Sequence, residues 1–211
     1  MYFSPANITA FIVAASFAGG LNIYATVLTL GVLARTHWVA LPPGLSGIGA
    51  TWVIISCAIL FVVEVFADKI PGLDLFWNGL QTIARVPVAA LVAYHASSQL
   101  TPGMQLLATA VGAGIALASH GSKTLVRAAV TPSPEPVSNL VLSSSEDVLA
   151  VGITWFATHH AIVAAAMAVM LLLAAFLTAR VLLRAVWQPL KRVFGPPREQ
   201  PINTEQGPRA S

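Results

Sequence analysis

The chain is short of charge. Asp, Glu, Lys and Arg make up 9% of its 211 residues, against roughly a quarter of a soluble domain, too few to build a water-facing surface. Four stretches hold no charged residue at all: 1–34, 36–63, 86–122 and 148–179. Each exceeds the roughly 20 apolar residues that cross a bilayer as a helix. Cysteine is almost missing. Cys57 stands alone in an apolar run, which excludes an intrachain disulfide and a cysteine-based metal centre. Period-two alternation of polar and apolar residues is absent, which excludes a transmembrane barrel. No basic segment precedes the first apolar run, so the first helix is expected to stay in the mature chain rather than leave as a signal peptide. Nucleophile-elbow, phosphate-loop, HExxH and zinc-ligand patterns are also missing. The expectation is therefore a non-enzymatic protein with no cofactor, no metal and no nucleic-acid partner.

What remains is 56% hydrophobic. In hydrocarbon every backbone N–H and C=O must be bonded within the segment, so the apolar stretches should be helices. Helices are predicted over about 6–34, 48–66, 73–96, 104–130 and 147–186. The first is interrupted at Gly19-Gly20, and Pro42-Pro43-Gly44 makes a firm turn before the second. Pro87 is expected to kink the third, and Gly112, Gly114 and Gly121 to loosen the fourth. The Pro- and Ser-rich stretch 131–145 reads as a loop. Ser144-Ser145-Glu146-Asp147 then fits a capping box opening the last helix, which His159-His160 divides into an interfacial part and a span proper. The fold class is an all-α polytopic bundle of about five crossings with broken or re-entrant helices. Residues 1–194 form the membrane domain, and the Pro-rich polar tail 195–211 is expected to be disordered.

Six basic residues follow the last apolar run (Arg180, Arg184, Lys191, Arg192, Arg198 and Arg209) against Glu199 and Glu205. This places the C-terminus in the cytoplasm by the positive-inside rule and next to anionic lipid headgroups. Five crossings then put the N-terminus outside and Arg35 inside. They also put Lys123 and Arg127 near the outer face, against the rule, unless a helix turns back within the membrane.

The remaining charges form two clusters of like content: Glu64, Asp68, Lys69, Asp74 and Arg85, then Lys123, Arg127, Glu135, Glu146 and Asp147. Each holds three acids and two bases beside an interrupted helix. A structural pseudo-repeat with halves 1–97 and 104–187 would account for this, as in transporters built from paired halves with broken helices at mid-membrane.

These clusters carry a resemblance. Glu64-x-x-x-Asp68-Lys69-Ile70-Pro71-x-x-Asp74-x-x-Trp77, continuing to Gln81-Thr82-x-x-Arg85-x-Pro87, is similar to a bacterial inner-membrane family known as domain of unknown function 4126. So are Gly20-Leu21-Asn22-x-Tyr24, Leu41-Pro42-Pro43, His120-x-x-Lys123-x-x-x-Arg127, Pro134-Glu135-Pro136-x-Ser138-Asn139 and Ser145-Glu146-Asp147. The resemblance covers about 14–152. Asn78 stands where that pattern carries an acid. The resemblance implies a bacterial inner-membrane location and marks these polar residues; it names no substrate.

Ionisable groups at membrane depth are costly and face a cavity or one another. Glu64, at the end of an apolar run, is placed to carry a proton or cation. Asp68 and Lys69 form a pair at a helix end, while Asp74, Glu146 and Asp147 sit at helix starts, whose partial positive charge suits acids. Arg85 needs a carboxylate from Glu64, Asp68 or Asp74, or binds an anionic solute bidentately. His120, Lys123 and Arg127 share one helix face suited to an anion or lipid phosphate. Asn22 and Tyr24 follow a helix break where backbone groups can meet a solute. The leading expectation is a small transporter or permease, proton- or cation-coupled. The alternatives are a lipid-binding or lipid-translocating protein, a structural or assembly subunit, and a channel. Membrane lipids, anionic ones among them, a small solute or ion, and further copies of the chain are the expected partners.

Overall fold

In the computed structural model residues 4–67, 70, 73–130 and 136–194 are described, and among them every regular element is helical. The tail 195–211 and the Asp68–Lys69 pair lie outside the described residues. The helices are α1 (Pro5–Leu21), α2 (Ile23–Arg35), a 3-10 helix (Pro43–Gly49), α3 (Thr51–Ala67), α4 (Leu73–Ala96), α5 (Pro102–Val130), α6 (Pro136–His159) and α7 (Ala161–Phe194). Three stretches are long and apolar enough to cross a membrane: Pro102–Val126, Leu140–His159 and Ala161–Val181. A fourth arises if the 3-10 helix and α3, bent by 68°, count as one span. The chain is a multi-pass membrane protein.

α1 is the axis of the bundle. Ser4 caps it, its Oγ accepting from the Asn7 N–H at 3.2 Å, and Pro5 supplies a preset first turn. Nearly all of it from Phe11 to Leu21 is buried, because α4, α5, α6 and α7 pack around it. The apolar side chains of the outer helices, such as Ile59, Ile83, Leu106 and Phe176, stay exposed, as a lipid-facing surface requires.

The first predicted helix is broken, and it turns back. Asn22 is extended (φ −149°, ψ 105°). Its backbone N–H bonds to the Ala18 carbonyl, ending α1, while its Oδ1 accepts from the Ala25 N–H at 2.9 Å, starting α2. From there α2 runs alongside α6 in the same direction: Asn22 meets Asp147, and Thr26 meets Thr154. α6 ends at His159, in a cleft shared with Asn7 and Phe11 at the start of α1. Both ends of the α1–α2 hairpin therefore lie at one end of the bundle, called here the first end. At 17 and 13 residues its arms reach roughly 25 and 20 Å at 1.5 Å per residue, so α1 and α2 are apolar helices shorter than the candidate spans.

The 3-10 helix anchors the first end. A Cβ on Gly44 would fall 2.0 Å from the His95 carbonyl oxygen at the end of α4, an approach only glycine permits. Three sequence expectations change. α5 runs unbroken through Gly112, Gly114 and Gly121; Gly112 instead lets α1 and α4 close in, its would-be Cβ lying 2.6 Å from Ala93 and 2.9 Å from Ser16 Oγ. Of the predicted loop 131–145, the part from Pro136 onward is already helix, because Pro136 opens α6 eight residues before the capping-box serine. The interfacial segment before His159-His160 is therefore a span of its own, although the division at His160 is present.

Candidate functional site

The hairpin tip, Asn22, reaches the half of the bundle nearer the second end, where α5 and α7 finish. There it meets side chains from every long helix except α7. α3 brings Glu64 and α4 brings Gln81, Thr82 and Arg85. α5 contributes His120 and Lys123, and α6 contributes Glu146 and Asp147. Asn22, Glu64 and Arg85 are fully buried, with Gln81, His120, Lys123 and Glu146 nearly so.

The break at Asn22 leaves the last carbonyls of α1 without helical partners, at the negative end of its dipole. Cations supply them. Arg85 Nη1 donates to Leu21 O at 2.8 Å and to Gly20 O at 3.2 Å. Lys123 Nζ donates to Leu21 O at 3.0 Å. The same cations hold the acids. Arg85 Nη2 is paired with Glu64 Oε1. Lys123 Nζ lies 3.1 Å from Glu146 Oε2 and 3.8 Å from Glu64 Oε1. Gln81 Oε1 accepts from Arg85 Nε at 2.7 Å and also from Nη2. Asn22 Nδ2 donates to Asp147 Oδ1 at 2.8 Å. One network thus ties the hairpin tip to α3, α4, α5 and α6.

His120 is held in one tautomer. Arg85 Nη1 lies 3.1 Å from His120 Nδ1, and a guanidinium has no acceptor, so Nδ1 carries the lone pair. The proton is then on Nε2, which donates to Thr82 Oγ1 at 2.8 Å.

Of the residues picked from sequence, Asn22, Glu64, Arg85, His120, Lys123, Glu146 and Asp147 come together here. Tyr24 is half-buried within the fields of Glu64 and Arg85, packed beside the Ile23 and Val27 core. Asp74 and Arg127 lie on the helical backbones of α4 and α5; their side chains, like Asp68 and Lys69, are outside the described residues. Glu146 and Asp147 do not cap a helix start. They sit inside α6, a turn or more past Pro136, facing Lys123 and Asn22. Gln81 and Thr82 belong to the network without having been picked as site residues; the spacing 74, 78, 81, 85 marked the polar face of α4 that carries Gln81. Among the described residues no cluster of His, Cys, Asp or Glu is arranged to hold a metal ion.

Below the network a cleft of about 130 Å³ opens between α1, α5, α6 and α7. Phe17, Leu21, Leu142 and Leu172 line it with the Lys123–Glu146 pair. It puts Lys123 level with Leu172 and Ala175 of α7, just past the middle of the apolar stretch Ala161–Val181.

The model of a family described as a domain of unknown function (DUF4126) matches residues 9–181. The chain belongs to this family. Neither the curated proteins nor the solved structures hold a match. The DUF4126 description assigns no activity, so any functional reading comes from the site.

Proposed function

We propose that this DUF4126 protein is a small carrier that moves a solute by alternating access, with the Glu64–Arg85–Lys123 network as its coupling centre. One observation carries the reading: a helix hairpin with both ends at one end of the bundle places its broken tip on a buried charge network between the chain's two halves. Residues 1–97 supply the tip, Glu64 and Arg85; residues 104–187 supply His120, Lys123, Glu146 and Asp147. Irregular backbone at membrane depth is stable only where protein or a cavity supplies its partners. Here the partners are ionisable side chains, which can exchange a proton or ion for the carbonyl contacts they now make. With Glu64, Arg85 and Lys123 buried among the described residues, the arrangement matches an occluded state better than a channel, which needs a continuous wet path.

We further propose an inner-membrane location with the second end in the cytoplasm. Lys123 and Arg127 then lie on the same side as Arg180, Arg184, Lys191 and Arg192, as the positive-inside rule expects. The re-entrant hairpin removes the conflict that a full first crossing creates.

The test is thiol accessibility. In a Cys57→Ser background, Ser119→Cys, Thr82→Cys and Thr154→Cys place near-isosteric thiols in the network wall. A membrane-impermeant reagent is applied from each side in oriented vesicles. The expected result is weak labelling at rest, and labelling that changes side when pH or solute gradient is reversed. Constant protection from both sides, in protein that elutes as a folded species, refutes the carrier and returns the network to a structural role.

A further inference from the structure

Gln81 of the network and Trp77 one turn before it each carry a buried donor, Nε2 and Nε1, that has no hydrogen-bond partner among the described residues. Gln81 is 3% exposed. The orientation of its amide is not open to choice. Its Oε1 takes Arg85 Nε at 2.7 Å as well as Nη2, and a guanidinium can only donate, so a flipped amide would set N–H against N–H. The Nε2 group therefore faces away from Arg85 with its hydrogens unused. The indole N–H of Trp77 has no other role than donor.

Trp77 and Gln81 are four residues apart on α4, hence neighbours on one face, with Arg85 one turn further along that face. Trp77 and Gln81 present unused hydrogens, whereas those of Arg85 are taken by Glu64, Gln81, His120 and the α1 carbonyls. The Gln81 carbonyl is drawn by two guanidinium N–H groups, which polarises the amide and strengthens the opposite N–H as a donor. Buried donors left open are rare in native structures, and two of them one turn apart suit an acceptor that brings no hydrogens of its own. A neutral hydroxyl or water accepts but must also place its own hydrogens. A carboxylate or phosphate oxygen has only lone pairs to offer.

We propose that Trp77 Nε1 and Gln81 Nε2 form an oxyanion subsite on α4, on the approach to Arg85 from the second end. The ligand is a small carboxylate or phosphate, free or as a lipid headgroup. This rests on the carrier reading and deepens it by naming the substrate class as anionic.

The test measures binding and flux separately, on the full-length chain. Thermal unfolding is followed in neutral detergent at constant ionic strength, with chloride replaced in turn by acetate or by inorganic phosphate, and separately with phosphatidylglycerol added to the micelles. Wild type is expected to gain Tm saturably with at least one of the three. Trp77→Phe, which removes only the N–H, and Gln81→Glu, which keeps an acceptor for Arg85 but removes the donor, are each expected to weaken that response by about tenfold in half-saturating concentration. A response to acetate or phosphate assigns a free solute; a response to phosphatidylglycerol alone assigns a headgroup. The subsite is overturned if none of the three stabilises wild type, or if both variants, folded with ordinary Tm in chloride, respond as wild type does. Uptake of the stabilising anion into proteoliposomes is scored separately. Binding lost in the variants without uptake by wild type keeps the subsite and removes the carrier.

Discussion

Removing one partner of the Glu64–Arg85 pair should cost far more than removing both. Both side chains are fully buried, so Glu64→Met leaves a guanidinium in the interior without its carboxylate. An uncompensated buried charge of this kind costs about 3–5 kcal/mol. Arg85→Met strands Glu64 with Lys123 at 3.8 Å and also withdraws the donor from Gly20 O, whereas Leu21 O keeps Lys123 at 3.0 Å. Its cost should be at least as large. The double variant has no unpaired charge from this pair and retains only the defects that Arg85→Met alone already makes, the Gly20 carbonyl, Gln81 Oε1 and His120 Nδ1 losing their guanidinium donor, at about 1–3 kcal/mol each. The two single losses sum to roughly 6–10 kcal/mol by these figures, so the double variant should recover about 3 kcal/mol or more. Unfolding free energies from SDS titration in mixed micelles provide the four corners of the cycle. Additivity within about 0.5 kcal/mol would show that the two groups do not act as a unit and would refute the network as drawn. Glu64→Met combined with Gly114→Ala, a lipid-facing change on α5, is the control expected to be additive.

Close approach separates the glycines in the same assay. Gly20→Ala brings a Cβ within 2.5 Å of the Ala116 carbonyl oxygen, and Gly44→Ala within 2.0 Å of the His95 carbonyl oxygen. Each should lose roughly 1–3 kcal/mol or more. Gly114→Ala meets nothing within 4 Å and should gain about 0.5–1 kcal/mol by stiffening the unfolded chain; equal effects at all three positions would contradict the packing. At the hairpin tip, Asn22→Asp keeps a good helix cap, since Asp and Asn rank alike there, but sets a carboxylate against Asp147 in place of the 2.8 Å donation. It should cost roughly 3 kcal/mol, as an uncompensated buried charge does, and Asp147→Asn should restore most of the loss by reversing the direction of the bond. A failed rescue would mean that Asn22 acts as a cap alone.

The parts of this molecule that lipid dictates were legible in the sequence. Four charge-free stretches gave the class. Asp74 to Ala96 could be read as one helix, because a polar face at 74, 78, 81 and 85 gives way to an apolar run and then to Ser97. The partnership of Arg85 with Glu64 was within reach, because an arginine among apolar residues must find a carboxylate and only three stood nearby in sequence. The shared face of His120 and Lys123 followed from helical spacing alone.

Direction within the membrane was not legible, and that decided the rest. Periodicity says which face of a helix is apolar but not which way the next helix runs. The run 6–34 looked like one crossing with a flaw, although it is nearer in length to two short arms than to one span. Reading it as a crossing sets Lys123 against the positive-inside rule, and that conflict is the signal in the sequence that points to a segment turning back. The capping-box pattern at Ser144 misled for a different reason. Local hydrogen-bonding preference is worth about 1 kcal/mol, while Pro136 already offers a preset helical start, and α6 gains a full span by beginning there. Glu146 and Asp147 are consequently not caps but interior acids, and their acidity fits what they face: Lys123 and Asn22, the two groups that hold the end of α1 and the beginning of α2. A break in a buried helix is tolerated only where other elements deliver donors to its carbonyls. Arg85 and Lys123 supply those donors at the price of needing Glu64 and Glu146 beside them. The charges of both halves and the broken hairpin are therefore one feature, and neither would be stable at this depth without the other.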